Sequence, residues 1–252
     1  MKPASKLRLA TIMWLVGMPG VAVVALLVVP DMIAEVSGDI PIPVPTWVAS
    51  ATSLVQSTVI LALAVWAGVA LAPKVGLRAP LFEAVAGSLP AAEALRTQLV
   101  PGLLGGLAGG ALLIALSHIS PAELAAVAQK FTFPLVARVL YGGITEELLL
   151  RWGLMSLLLW LLWHFVQRTS AVPSISLVWL AIISSAVLFG VGHLPAAHVF
   201  VGELSSPVVT YVIGGNAVFG VVAGWLFWRF GLEAAILAHA IAHVVAYTAT
   251  AT

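Results

Sequence analysis

Long apolar runs separated by short polar stretches dominate this chain. A helix that crosses a membrane needs about 20 mostly apolar residues, and Leu9–Pro30 supplies the first, preceded by Lys2, Lys6 and Arg8. That start resembles a signal peptide. Its apolar run, however, exceeds an h-region of about 7–15 residues and no convincing small-residue cleavage site follows, so a retained span is predicted. The polar, proline-rich stretch "PDMIAEVSGDIPIPVPT", with Asp31, Glu35 and Asp39, reads as a loop before a second span, Trp47–Ala72. Pro73–Gln98 carries Lys74, Arg78, Glu83, Glu93 and Arg96 and is predicted to form short amphipathic helices at the interface. A third span, Leu99–Ser117, contains "GLLGGLAGGA", small residues that let helices pack closely in lipid. Phe131–Phe165 is too long for one untilted crossing, so it is either one tilted helix or a helix broken near Gly142 and Gly143. Further spans fall at Ile175–Leu194, Pro207–Trp228 and Gly231–Thr250. The pattern predicts an all-α polytopic membrane protein with seven or eight spans.

Composition strengthens that reading. Of 252 residues, 62% are hydrophobic and only 8% charged, with a mean hydropathy of +1.12. Soluble domains carry roughly 25% charged residues, so lipid must be the main solvent here. A net charge of +1 gives no reason to expect nucleic acid as a partner. The absence of cysteine removes disulfides, thiol nucleophiles and thiolate metal sites. With seven spans and a cytoplasmic N-terminus, the inside segments hold Lys2, Lys6, Arg8, Lys74, Arg78, Arg96, Arg168 and Arg229, and the outside loops hold only Lys130. Positive charge in short loops marks the cytoplasmic side, so the N-terminus is expected there, in a membrane read as a prokaryotic plasma membrane. An eighth span would flip everything after Phe131.

Ionisable groups inside a membrane are costly and functional by default. Those out of place are Glu146, Glu147 and Arg151 in "YGGITEELLLRWGLM", His193 after "SSAVLFGVG", His239 and His243 in "AAILAHAIAHVV", Asn216 and Arg138. Residues four apart share a helix face, so Glu147 and Arg151 can satisfy each other. Glu146 is rotated away by about 100° and needs a partner from another helix, with His193 and His239 as candidates. A lone histidine at a helix end is more often structural than catalytic, but nothing polar near His193 explains it. His239 and His243 also share a face. They suit a shared metal or two hydrogen bonds to one oxyanion, although the glutamate of H-E-x-x-H is missing between them. Asn216 and Arg138 fit helix packing or lipid head groups. A glutamate and histidines on separate spans can activate water and stabilise an oxyanion.

These residues resemble the motifs of the CAAX protease and bacteriocin-processing family, also called Abi. "EELLLR" matches E-E-x-x-x-R, "FGVGH" resembles F-x-x-x-H, and "AHAIAH" sits where the family has H-x-x-x-N. The connecting "FGVVAGWLFWRFGLEAAILAHA" also resembles the family's glycine-rich helix, turn and final helix. The likeness covers roughly Phe131–Thr250. It divides the chain into residues 1–130, generic spans and an interfacial loop, and residues 131–252, a catalytic core. Two departures stand out: His243 replaces the usual asparagine, and Leu150 stands where a phenylalanine often precedes the arginine.

The resemblance implies an intramembrane endopeptidase that cleaves a peptide or a prenylated protein near the bilayer surface. Glu146 would be the base, assisted by His193. His239 and His243 would hold the oxyanion, with Glu147 and Arg151 in support. Glu146, His193, His239 and His243 could also form a set of metal ligands, so whether a divalent metal such as Zn takes part stays open. Two other readings compete: a non-catalytic scaffold or immunity protein of the same fold, and an ion or proton carrier, which the lack of an internal repeat disfavours.

Overall fold

The computed structural model describes residues 5–36, 44–167 and 170–250. Among the described residues, seven helices are long and apolar enough to cross a membrane: α1 (Lys6–Glu35), α2 (Thr46–Val75), α3 (Ala91–Ser117), α4 (Leu135–Val166), α5 (Ile175–Val201), α6 (Ser206–Phe230) and α7 (Leu232–Ala249). No strand occurs among the described residues. The protein is therefore a polytopic helical membrane protein. Large apolar side chains such as Leu63, Val100, Leu104 and Ile175 face outward, as a lipid solvent requires.

Several predicted boundaries move. Helix persists through Asp31 and Glu35, which the sequence reading put in a loop; Lys2, Asp39 and Arg168 lie outside the described residues. The interfacial stretch shortens to a 3-10 turn at Ala72–Val75 and one helix, Pro80–Gly87. Glu93, Arg96 and Gln98 already belong to α3, which starts after Pro90 rather than at Leu99. A proline fixed at the N-cap starts a helix whatever the hydropathy of its first turns. In the intervening loop Arg78 Nε donates to Glu83 at 2.8 Å, and this bonded carboxylate raises the Arg78 guanidinium above its ordinary pKa. Near the opposite end of the bundle, Ala122–Lys130 forms a short helix of its own.

The Phe131–Phe165 stretch resolves into a single helix that starts at Leu135, after Pro134, and is unbroken at Gly142 and Gly143. It is wound as π-helix over Arg138–Glu146 and again over Leu148–Met155. The i→i+5 bonding of such segments is rare and concentrates at functional sites. α5 is the helix that does break: Ile175–Gly192 ends at His193, and a short helix, Leu194–Val201, follows.

Without a hydrophobic drive between helices, close backbone approach holds the bundle together. On α3, a Cβ added to Gly102 or Gly106 would fall within 2.8 or 2.5 Å of Leu237 or Ile241 on α7. The other side of α7 meets α4, where a Cβ on Gly143 would lie 2.9 Å from the Ala240 Cβ. α7 is thus wedged between α3 and α4, which fixes the depth of its histidines. α5 meets α6 at Gly190, Gly220 and Gly224. α4 meets α2 at Gly153, where an added Cβ would lie 2.9 Å from Ala64 Cα, and the Trp152 indole donates to the Val65 carbonyl at 3.3 Å.

Gly153→Ala should therefore force α2 and α4 apart, at a cost of about 1–3 kcal/mol typical of overpacking. Gly192→Ala, where nothing lies within 4 Å of the added carbon, is the control. Thermal unfolding in detergent should show a lowered midpoint for the first variant and little change for the second.

Candidate active site

The π-helical part of α4 presents its two glutamates to different surroundings. Glu147 is fully buried at 0% exposure. Its Oε1 meets Arg151 Nη1 at 3.1 Å and His239 Nδ1 at 2.7 Å. Arg151, 2% exposed, also donates through Nη2 to the Gly220 carbonyl at 3.3 Å and lies with its Cζ 5.0 Å from the centre of the Phe189 ring. One carboxylate and one guanidinium thereby join α4, α5, α6 and α7. The pairing of Glu147 with Arg151 was expected from their spacing. The bond to His239 was not, because His239 had been considered a partner for Glu146.

Glu146 faces His193 instead, with Oε1 and Nε2 3.8 Å apart and side chains 14% and 36% exposed. The histidine is oriented from its own helix: Nδ1 lies 2.9 Å from the Phe189 carbonyl oxygen. A carbonyl only accepts, so Nδ1 must carry the proton and donate it. In a neutral ring Nε2 is then a lone pair facing a carboxylate, two acceptors too far apart to bond directly. A water placed between them can donate to both.

His239 is constrained in the same way. Its Nδ1 proton goes to Glu147, leaving Nε2 turned toward Gly142, while His243 stacks on it with ring centres 4.8 Å apart. A Cβ on Gly142 would lie 2.8 Å from His243 Nε2 and 3.7 Å from His239 Nε2. Glycine at this point lets α4 pack directly against both imidazoles, where any side chain would collide with His243. His243 Nδ1 has no hydrogen-bond partner among the described residues, so no neighbour fixes its tautomer.

Among the described residues, no group of three or more His, Asp or Glu side chains is placed to hold a metal ion. Glu146, His193, His239 and His243 do not form the four-ligand set that the sequence allowed. His239 is bonded to Glu147, and His193 faces Glu146 from a different helix. Asn216 donates to the Val212 carbonyl of its own helix at 2.7 Å. Arg138 donates to the Phe133 carbonyl at 3.0 Å and lies over the Tyr247 ring. Both stay with their packing roles.

Two further contributors had no role assigned from the sequence: Phe189, present there only as the first residue of F-x-x-x-H, and Thr145. Phe189 stands edge-on to both His193 and His239, with centroids 4.7 and 6.2 Å away, and beneath Arg151. Its position four residues before His193 was the available signal. Thr145, buried at 0% exposure beside Glu146, donates to the Gly17 carbonyl of α1 at 2.8 Å. No pattern in the sequence announces that contact.

Neither the curated proteins nor the solved structures yield a match to this chain. Among protein families, the model described as Type II CAAX prenyl endopeptidase Rce1-like matches residues 128–245, which span all three motifs. That match covers 118 of the 252 residues, a little under half of the chain, and makes this part similar to a family of CAAX prenyl endopeptidases, which are proteases.

Proposed function

We propose that the protein is an intramembrane endopeptidase that hydrolyses a peptide bond near the bilayer surface with water activated by Glu146 and His193. The observation that carries this reading is the 3.8 Å separation of two partly exposed acceptors, Glu146 Oε1 and His193 Nε2. A water donating to both is polarised for attack, and Glu146 takes its proton as general base. The proton then passes to the leaving amine. Residues 131–252 are the catalytic core in this reading, and residues 1–130 brace it.

The developing oxyanion would be met by His243 and His239, whose rings stack 4.8 Å apart. His243 can hold its single proton on Nε2, because nothing claims Nδ1, and so donates as a neutral ring. His239 donates its Nδ1–H to Glu147, which fixes the orientation of the ring beside His243. Glu147 and Arg151 are positioning residues here, since they act through His239 and the backbone of Gly220. Membrane lipid is the solvent. The substrate is a hydrophobic peptide or a prenylated protein, and the steps above need no metal.

Glu146→Gln and His193→Ala should each lower turnover of a hydrophobic peptide by about 10²–10⁴-fold, the usual worth of general acid–base catalysis. Purified protein in detergent is the assay. Cleavage at the wild-type rate by both variants would sink the assignment. Retention of the cellular phenotype by Glu146→Gln would favour the scaffold reading.

Position 243 gives a second test. His243→Asn restores the family's usual residue and still donates a hydrogen bond, so most activity should survive. His243→Leu removes the donor and should cost about 10²–10³-fold in kcat, as other oxyanion donors do. Equal loss in both variants would assign His243 a task that only an imidazole performs.

A further inference from the structure

The two ends of the bundle differ in charge, and the site lies toward one of them. Lys6, Arg8, Lys74, Arg78, Arg96 and Arg229 gather at the end where α1, α3 and α7 begin. Contacts across that end confirm that these segments share it. Arg8 donates to Ser88 at 3.1 Å, and the Leu232 amide donates to the Arg78 carbonyl at 3.1 Å. Lys74 lies over Trp160 and Arg229 over Trp228, an arrangement suited to a membrane–water interface. The opposite end is built from the end of α3, the Ala122–Lys130 helix, the Leu194–Val201 helix and the start of α6. There Ser205 bonds Glu123 at 3.1 Å and Phe131 packs on Phe200 with centroids 5.0 Å apart. Its cations are Lys130 and Arg138, set against Glu35, Glu123 and Glu203.

Glu146, His193 and His243 sit in the half of the bundle away from the basic end, while His239 lies deeper, about 10 Å from Leu232 and about 15 Å from Ala249. At 1.5 Å per residue, His243 is about 16 Å from the Leu232 end of α7 and about 9 Å from Ala249. His193 lies at the far end of the Ile175–Gly192 helix, about 27 Å from its basic-end start. Glu146 is about 30 Å from Val166 but only about 16 Å from Leu135. The most exposed member, His193, is also the one at the break where α5 turns into the surface helix Leu194–Val201.

Lys and Arg in short loops stay on the cytoplasmic side. We infer that the Glu146–His193 site opens to the extracytoplasmic face of the membrane, so its substrate class is a polypeptide segment already translocated across the bilayer. A lipid-modified protein held on the cytoplasmic leaflet would meet the opposite, basic end. This rests on the hydrolytic reading of Glu146 and His193, but its test does not.

The chain has no cysteine, so single-cysteine labelling needs no background removal. Glu203→Cys at the site end and Glu93→Cys at the basic end both replace exposed residues outside the catalytic machinery. In intact bacterial cells expressing the full chain, a membrane-impermeant maleimide should label the first completely and the second only after permeabilisation. The reverse pattern, or labelling of both in intact cells, overturns the inference. Glu146-dependent hydrolysis in detergent is read separately. If it persists while labelling is reversed, only the sidedness fails. If labelling is as expected while Glu146→Gln cleaves like the wild type, only the hydrolytic reading fails.

Discussion

An ionised carboxylate with no solvent exposure in an apolar bundle is tolerable only if its charge is met on the spot, and Glu147 is met twice on one oxygen, by Arg151 and by His239. Breaking such a buried pair by removing one partner typically costs about 3–5 kcal/mol, because the remaining charge stays buried. The requirement therefore constrains geometry well beyond three side chains. α7 must lie where His239 reaches α4, and the glycines of α3 and α4 let it do so. α6 must present the Gly220 carbonyl to Arg151, and Phe189 must lie under the guanidinium. His193 then follows, one helical turn beyond Phe189, at the mouth of the site.

Much of this was legible because membrane helices are written plainly in sequence. Hydropathy located seven spans and left an eighth open at Gly142 and Gly143, and i,i+4 spacing paired Glu147 with Arg151. The errors came where hydropathy and backbone geometry part company. α3 begins at Ala91 despite Glu93 and Arg96, since Pro90 and a buried Gln98 suit a helix whose first turns lie at the basic end. The α1 helix runs on through Asp31 and Glu35 for a similar reason: apolarity sets how much of a helix sits in lipid, not where its hydrogen bonding stops.

The candidate site was legible in its members but not in its pairings. A sequence shows that Glu146 needs a partner from another span and cannot show which histidine is at the right depth and rotation. The π-helical winding of Arg138–Met155 compounds this, because the 100° step used to separate Glu146 from Glu147 belongs to a regular α-helix. Buried contacts of single polar groups escaped altogether. Thr145 to Gly17 links residues 128 apart, and Glu233, 3% exposed, accepts from the Phe82 amide at 2.9 Å with equally little local warning.

Adjacent glutamates of identical intrinsic acidity thus come to hold different positions through environment alone, the general route by which one fold separates acid and base roles. Glu147 is enclosed and held through one oxygen by Arg151 and His239. Glu146 is partly exposed, with a hydrogen-bond acceptor opposite and room for a water between. The same logic extends to the imidazoles. His193 is locked by a carbonyl and His239 by a carboxylate, each with Nδ1 as donor, while His243 keeps its tautomer free. In the proposed mechanism position 243 needs only to offer one N–H, which histidine or asparagine can do, so the departure from the family pattern there is chemically mild where one at Glu146 would not be.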